Sequence, residues 1–331
     1  MIQIYGIDLS KEKFNVSFVD PKGFLKDVEI KNNYSAICKF LTGLNKDVML
    51  CIEHTGIYGD LLIFLANCFS ITICAISGYE IKHSLGTLKG KSDPIDASRI
   101  REYGERFQDK LVETHFCSEQ LHELKELHSL RDMLVKQRKM LQTHNVEKNK
   151  APFCSVKVKL ISEDVLRKLD DQIRVTEKQI QEIILSDEEF AENSRLVQSI
   201  KGIGPVTANE LIIKTQNFKK IRTAREASSF AGVCPFPNSS GKMVKKSKVS
   251  PMCDKKLKTL LFLCASSAIQ YNKDMKHYYE RKKAEGKPSY LALNNVANKL
   301  LRTVYAIIAS RENWDPEHIC PDPRENEKKA A

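Results

Sequence analysis

Two aspartates three positions apart, Asp93 and Asp96 in KSDPIDASRI, follow a lysine- and glycine-rich run, and two further acids, Asp8 in YGIDLSK and Glu53 in IEHTG, each follow an apolar stretch. Such carboxylates can do chemistry: hard divalent cations take oxygen ligands, and an acid cluster holding two of them can clamp the attacking and leaving oxygens of a phosphoryl transfer. The plainer use is local. Asp93 before Pro94 fits a helix N-cap with proline at the first helical position, and Asp96 falls where a capping-box acid reaches back. Taken alone, the pair names a helix start and no chemistry, so the elements that carry all four acids must decide.

MIQIYGIDLS, FNVSFVD and FLKDVEI, joined by tight connections, read as an antiparallel meander of three short strands. A helical stretch from Ser35 to Leu44 leads to the buried strand DVMLCIE, a helical pattern from Tyr58 to Cys68 to the buried strand ITICAIS, and a last helix begins at Asp93. The order β-β-β-α-β-α-β then brings Asp8 to the end of the first strand, Glu53 to the end of the fourth and Asp93 and Asp96 to the first turn of the last helix. If strands one and four are neighbours, the four carboxylates converge, and at one point they repel one another unless cations lie among them.

The chain has 331 residues, 42% apolar and 29% charged, enough for two or three domains with real cores. It contains no apolar run long enough to span a bilayer and no signal-peptide pattern at Met1, so the expectation is a cytoplasmic protein without membrane partners. Its ten cysteines stand singly, several within apolar runs, and neither zinc spacing nor a disulfide framework is present. The net charge of +11 is unevenly placed: residues 201–331 carry 25 Lys and Arg against 12 Asp and Glu, while residues 1–200 carry 28 against 30. Seven lysines fall between Lys242 and Lys258. That asymmetry favours a polyanionic partner, foremost nucleic acid.

Between Ser118 and Glu189, apolar residues at helical spacing (Leu121, Leu124, Leu127, Leu130, Leu134, then Val165 to Ile184) predict two long amphipathic helices, paired within the chain or between chains as a coiled coil. LVQSIKGIGPVTANELIIKT then places Gly202, Gly204 and Pro205 between two helical patterns. This is a helix-hairpin-helix pattern, which can hold a phosphate backbone on free N–H groups beside Lys201 without reading bases. Further on, FAGVCPFPNSSGKMVKKSK reads as a rigid loop that carries hydroxyls at Ser239 and Ser240 into a run of Lys242, Lys245, Lys246 and Lys248. By itself such a stretch is most simply a surface turn.

YGIDLSK, IEHTG and KSDPIDA, in this order and spacing, resemble the acidic motifs of the DEDD-type insertion-sequence transposases, whose N-terminal domain is similar to the RuvC resolvase and which include the Piv-type invertases. Gly232, Pro235 and Ser240-Gly241 match the G-x-x-P and serine-glycine segment of that family's C-terminal domain; the chain departs from many members by continuing KMVKKSK in place of further glycines. The resemblance implies an α/β plus α protein. Residues 1–116 would form a ribonuclease H-like mixed sheet with helices, 117–190 a coiled-coil oligomerisation region, 191–312 a mainly helical transposase domain with the helix-hairpin-helix, and 313–331 a tail. It also implies Mg²⁺ or Mn²⁺ at Asp8, Glu53, Asp93 and Asp96, and Ser240 as nucleophile, with Ser239 the fallback. The implied partners are DNA, a noncoding bridge RNA as guide, and further copies of the chain in a homodimer or homotetramer. Two other readings are a RuvC-like nuclease that uses water and a non-catalytic nucleic-acid-binding assembly protein.

Overall fold

The computed structural model describes residues 2–45, 47–54, 56–84, 92–148, 153, 155–240, 243–249 and 252–317, and of 237–248 the backbone alone. The chain divides into two compact units, Met1–Cys117 and Ser118–Ala331. In the first, β1 (Gln3–Leu9), β2 (Lys13–Val19) and β3 (Leu25–Lys31) form the antiparallel meander. They are followed by α1 (Tyr34–Thr42), β4 (Val48–Glu53), α2 (Asp60–Cys68), β5 (Thr72–Ile76), α3 (Gly78–Ser84) and α4 (Asp93–Arg106). The strand order is β3-β2-β1-β4-β5, with β4 parallel to both β1 and β5, so the sheet is mixed and strands β1 and β4 are neighbours.

Side chains alternate between the two faces of each strand. On one face Ile7, Phe14, Val16, Leu50 and Ile52 pack against Ile37 and Leu41 of α1 and Leu62 and Leu65 of α2. On the other, Ile4, Cys51 and Ile76 meet Ile81 of α3 and Ile100 and Tyr103 of α4. Two glycines bring α4 close. A β-carbon at Gly6 would collide with the backbone of Ala97 and Arg101, and one at Gly104 with the side chains of Ile4 and Cys51. Helix residues therefore rise in number as strand residues fall: α4 runs antiparallel to β1, and its first turn reaches toward the strand's C-terminal end.

The second unit begins with α5 (Glu119–Lys148) and α6 (Val156–Ser186), antiparallel to each other and tied by Arg131–Glu177 and Arg138–Asp170 ion pairs. Helix α6 starts nine residues before the Val165 expected from periodicity. In these added turns Val156, Val158, Leu160 and Ile161 are all exposed. Then come α7 (Glu188–Ser199), α8 (Pro205–Thr215), α9 (Ala224–Phe230), β6 (Phe236–Ser240), β7 (Met243–Lys248), α10 (Lys255–Tyr271), α11 (Lys273–Ala284) and α12 (Ser289–Ser310). Leu196, Leu211, Leu261, Ala265, Leu300 and Val304 are part of their shared core. Where the sequence reads as a rigid loop, the structure has an antiparallel β6–β7 hairpin, whose register shifts between Phe236 and Asn238, at Pro237, a residue with no amide to donate. No helix among the described residues is long and apolar enough to cross a membrane.

A charge cluster built around two buried side chains lies where α5, α8 and α10 meet. Glu210, 1% exposed, accepts from Lys256 Nζ at 2.5 Å; the same ammonium lies 3.1 Å from Nδ1 of His128, 2% exposed, and pairs with Asp132. Burial works against the Lys256 charge, but its two carboxylates outweigh burial and hold its pKa above the usual range. Burial, seconded by the Lys256 charge, lowers the His128 pKa to about 4 from 6.5, so the imidazole is neutral at pH 7. Below 6.5 the unfolded chain takes up a proton that folded His128 refuses, so this residue's stabilisation is present above pH 6.5 and lost as pH falls toward about 4. Glu210, its pKa raised by burial, acts in the opposite sense. In chemical denaturation at pH 7, 6 and 5, His128→Gln is expected to lose less stability per pH unit than the wild type; parallel profiles would refute a neutral His128.

Candidate active site

Gly6 and Ile7 pair with Cys51 and Ile52 across β1 and β4, so the next residues along, Asp8 and Glu53, end neighbouring parallel strands side by side. Alternation places Asp8 on the face of Ile4 and Gly6, and Glu53 on the face of Cys51: the side covered by α4. Asp93 and Asp96 occupy the first turn of α4, which reaches that same edge. All four sequence-derived acids thus lie at one edge of one sheet face. Asp8, Glu53 and Asp96 are half-buried and Asp93 is exposed.

The capping reading of Asp93 and Asp96 does not survive. Ser92 is the N-cap, no side chain caps the helix, and Asp93 and Pro94 already belong to its first turn. Proline has no amide to be capped and the Ser92 backbone is extended at φ −159°, so the helix starts one residue earlier than expected. Neither acid is consumed by the cap. Asp96 instead accepts from Arg99 Nη1 at 2.7 Å, and the Glu53 carboxylate lies against Gly78, where any β-carbon would displace it. The Lys13 pKa is raised, first by its hydrogen bond to Glu29 and in smaller part by the charge of Asp93. Among the described residues no three His, Cys, Asp or Glu come close enough together to hold a metal ion. The donor set is nonetheless all oxygen and partly shielded from water, as a hard cation prefers, and the carboxylates of Asp96 and Glu53 are turned to protein neighbours.

Sequence reasoning missed three residues of this edge. Asn15 lies directly opposite Asp8 in the antiparallel register, shares its face and is buried. Lys13 precedes it on the same face by two residues, and Arg99 follows Asp96 by one helical turn. The i+3 spacing of Arg99 from Asp96 was the one available signal; the Asn15 pairing depends on register, which sequence alone leaves open.

The other sequence-derived residues belong to the second unit. Lys201 is exposed in the turn between α7 and α8, where Asn272 Nδ2 donates to its carbonyl at 3.5 Å. Gly202, at φ +110°, is jammed against Ala268 of α10, so its missing side chain answers a packing need. Gly204 is the N-cap of α8 and faces open space, so packing places no such demand there. Ser240 is the last residue of β6 and pairs with Met243. Lys242 lies outside the described residues, as do the side chains of Ser239, Ser240, Lys245, Lys246 and Lys248.

Comparison with known proteins gives this arrangement its class. Residues 5–146 match the DEDD transposase model of IS110, and residues 194–280 match the model described as transposase of the IS116/IS110/IS902 family. The pilin gene-inverting protein of Moraxella bovis is 24% identical over 322 residues, covering 94% of this chain and 97% of its own length. A protein of insertion element IS110 from Streptomyces coelicolor is 27% identical over 143 residues, covering 43% of this chain and 34% of its own. A probable family 20 transposase of Pseudomonas aeruginosa is 26% identical over 156 residues, 46% of this chain and 45% of its own. The chain is therefore a DNA recombinase of the transposase class. The two matched regions together span more than half of it, and it belongs to the IS110/IS116 transposase family.

Proposed function

We infer that this transposase cuts and rejoins the DNA of an insertion sequence through a phosphoserine at Ser240, with Mg²⁺ or Mn²⁺ held by Asp8, Glu53, Asp93 and Asp96. The observation that carries the reading is the adjacency of Asp8 and Glu53 at parallel strand ends beneath the uncapped acids of α4. Bound there, divalent cations would neutralise charge at the phosphate and assist the leaving oxygen. The Ser240 hydroxyl oxygen forms a bond to phosphorus as the bond from phosphorus to one strand's sugar oxygen breaks, and the hydroxyl proton passes to that oxygen by way of solvent. The ester retains the energy of the phosphodiester, so attack by another strand's hydroxyl reverses the step and rejoins DNA without an energy source.

The ribonuclease H-like reading of the first unit is supported by the strand order, and the helix-hairpin-helix reading by the glycine turn of Gly202 and Gly204 beside the exposed Lys201, directly ahead of α8. With Lys242, Lys245, Lys246 and Lys248 they would hold DNA, and a noncoding bridge RNA would choose the site. Assembly as a homodimer or homotetramer is supported by the exposed Met140, Val146, Val156, Leu160 and Ile161 along α5 and α6, an apolar surface suited to a second copy.

The test is a denaturing-gel assay for a covalent protein–DNA adduct with Mg²⁺, element-end DNA and RNA from the element's flank. Wild type should give the adduct, and Ser240→Ala and Asp8→Asn should each lose it by at least about a thousandfold, as for removal of a nucleophile or a metal ligand. Cleavage without adduct, retained in Ser240→Ala and lost in Asp8→Asn, would make the chain a nuclease that uses water.

A further inference from the structure

The charge cluster around the buried His128 and Glu210 draws its members from α5 (His128, Asp132), α8 (Glu210, Lys214) and the start of α10 (Asp254, Lys256). At one end Arg131 carries it along the arm, pairing with Asp132 at 3.7 Å and with Glu177 of α6 at 2.8 Å. At the other, Lys214 pairs with Asp254 at 2.9 Å. Asp254 caps α10 by accepting from the Leu257 amide at 2.8 Å, and its own amide donates to the Phe230 carbonyl at 2.8 Å. That bond closes the foot of the β6–β7 hairpin. Gly232 packed on Cys253 and Asn294 Nδ2 donating to the Val233 carbonyl at 2.9 Å hold the foot in place. A run of charged contacts thus leads from the α5–α6 arm to Asp254, whose amide bonds the Phe230 carbonyl six residues before the strand that ends at Ser240 begins.

Buried ion pairs stabilise little relative to well-packed apolar residues, and their best use is to specify one geometry. Here a single ammonium, shared by Glu210, Asp132 and His128, has one position that satisfies all three. We propose that Lys256, Asp132 and Glu210 form a positioning joint through which the α5–α6 arm sets the seat of the Ser240 hairpin. Its catalytic consequence rests on the reading of Ser240 as nucleophile; the joint itself rests on the ion pairs. Contacts made along the arm, such as those of assembly, would in this way bear on the hairpin without touching DNA.

Asp132→Asn tests it in the full-length chain. Asp132 is 35% exposed, so the change removes the arm's carboxylate and leaves Lys256 paired with the buried Glu210. Melting should stay within about 3 °C of wild type, as for a small loss at a partly exposed site. Amides of residues 230–234, of Phe236 and of Asp254 should exchange with solvent about tenfold faster. Cleavage at saturating DNA should fall about tenfold, with little change in the DNA concentration needed for half the rate. A Lys256→Met, Glu210→Gln double variant, which removes both charges together, should loosen the same amides. Unchanged exchange in both variants overturns the joint. Faster exchange with unchanged cleavage supports the joint and shows that the rate does not depend on the seat of the hairpin.

Discussion

Gly6→Ala is expected to cost the enzyme at least about a hundredfold in DNA cleavage, although residue 6 carries no reactive group, because reacting groups displaced by an ångström lose roughly that much. The added carbon would meet the Ala97 carbonyl and the Arg101 amide, both main-chain atoms of α4 that cannot rotate aside as a side chain would. The helix must lift from β1, and Asp93 and Asp96 move with it away from Asp8 and Glu53. Overpacking of this kind destabilises by about 1–3 kcal/mol, and a backbone collision belongs at the upper end. Thermal unfolding of the first unit and cleavage should both be measured. Wild-type cleavage by the variant would mean that the closeness of α4 to β1 has no part in the chemistry.

The largest stability effect is expected from Lys256→Met. Glu210 is 1% exposed and would be left in the core with its nearest cation gone, only Lys214 remaining at 3.9 Å. Removing one partner of a fully buried pair costs about 3–5 kcal/mol; Lys256 is 38% exposed, so solvent softens the loss to about 3 kcal/mol, which for a unit of this size lowers its melting temperature by roughly 5–10 °C. Adding Glu210→Gln should recover most of that loss, since the cost lies in the orphaned charge and not in the missing contact. Calorimetry of the single and double variants decides the matter: equal melting temperatures would show that Glu210 takes up a proton once Lys256 is gone, so that no charge is orphaned.

The strands and the placement of the acids were legible because they rest on short-range pattern. Short apolar runs such as VMLCIE, too brief for a helix and bounded by polar turns, suit buried strands, and the chain order then puts Asp8 and Glu53 near their ends. The neighbourhood of β1 and β4 was a conditional that the sheet order fulfils. The cap at Asp93 was misjudged because Ser92 and Asp93 are both good capping residues, and one position of difference is decided by backbone angle. What could not be read were contacts between distant segments. Glu210 and His128 each look like a polar position on an amphipathic helix, and only the meeting of α5, α8 and α10 turns them inward. The β6–β7 hairpin was missed for another reason: its second strand, MVKKSK, lacks the apolar alternation of a half-buried strand.

Along the arm, Arg131 meets Glu177 and Arg138 meets Asp170, seven residues up one helix for seven down the other. The two helices are thus held in constant register, and a length added to one must be matched in its partner. Paired heptads inserted or deleted beyond Arg138 would change the arm's span in steps of about 10 Å at 1.5 Å per residue while leaving His128, Asp132 and the core around them where they are. The arm is in that sense a spacer: the reach between whatever its far end binds and the rest of the unit is free to drift between related elements without retuning either.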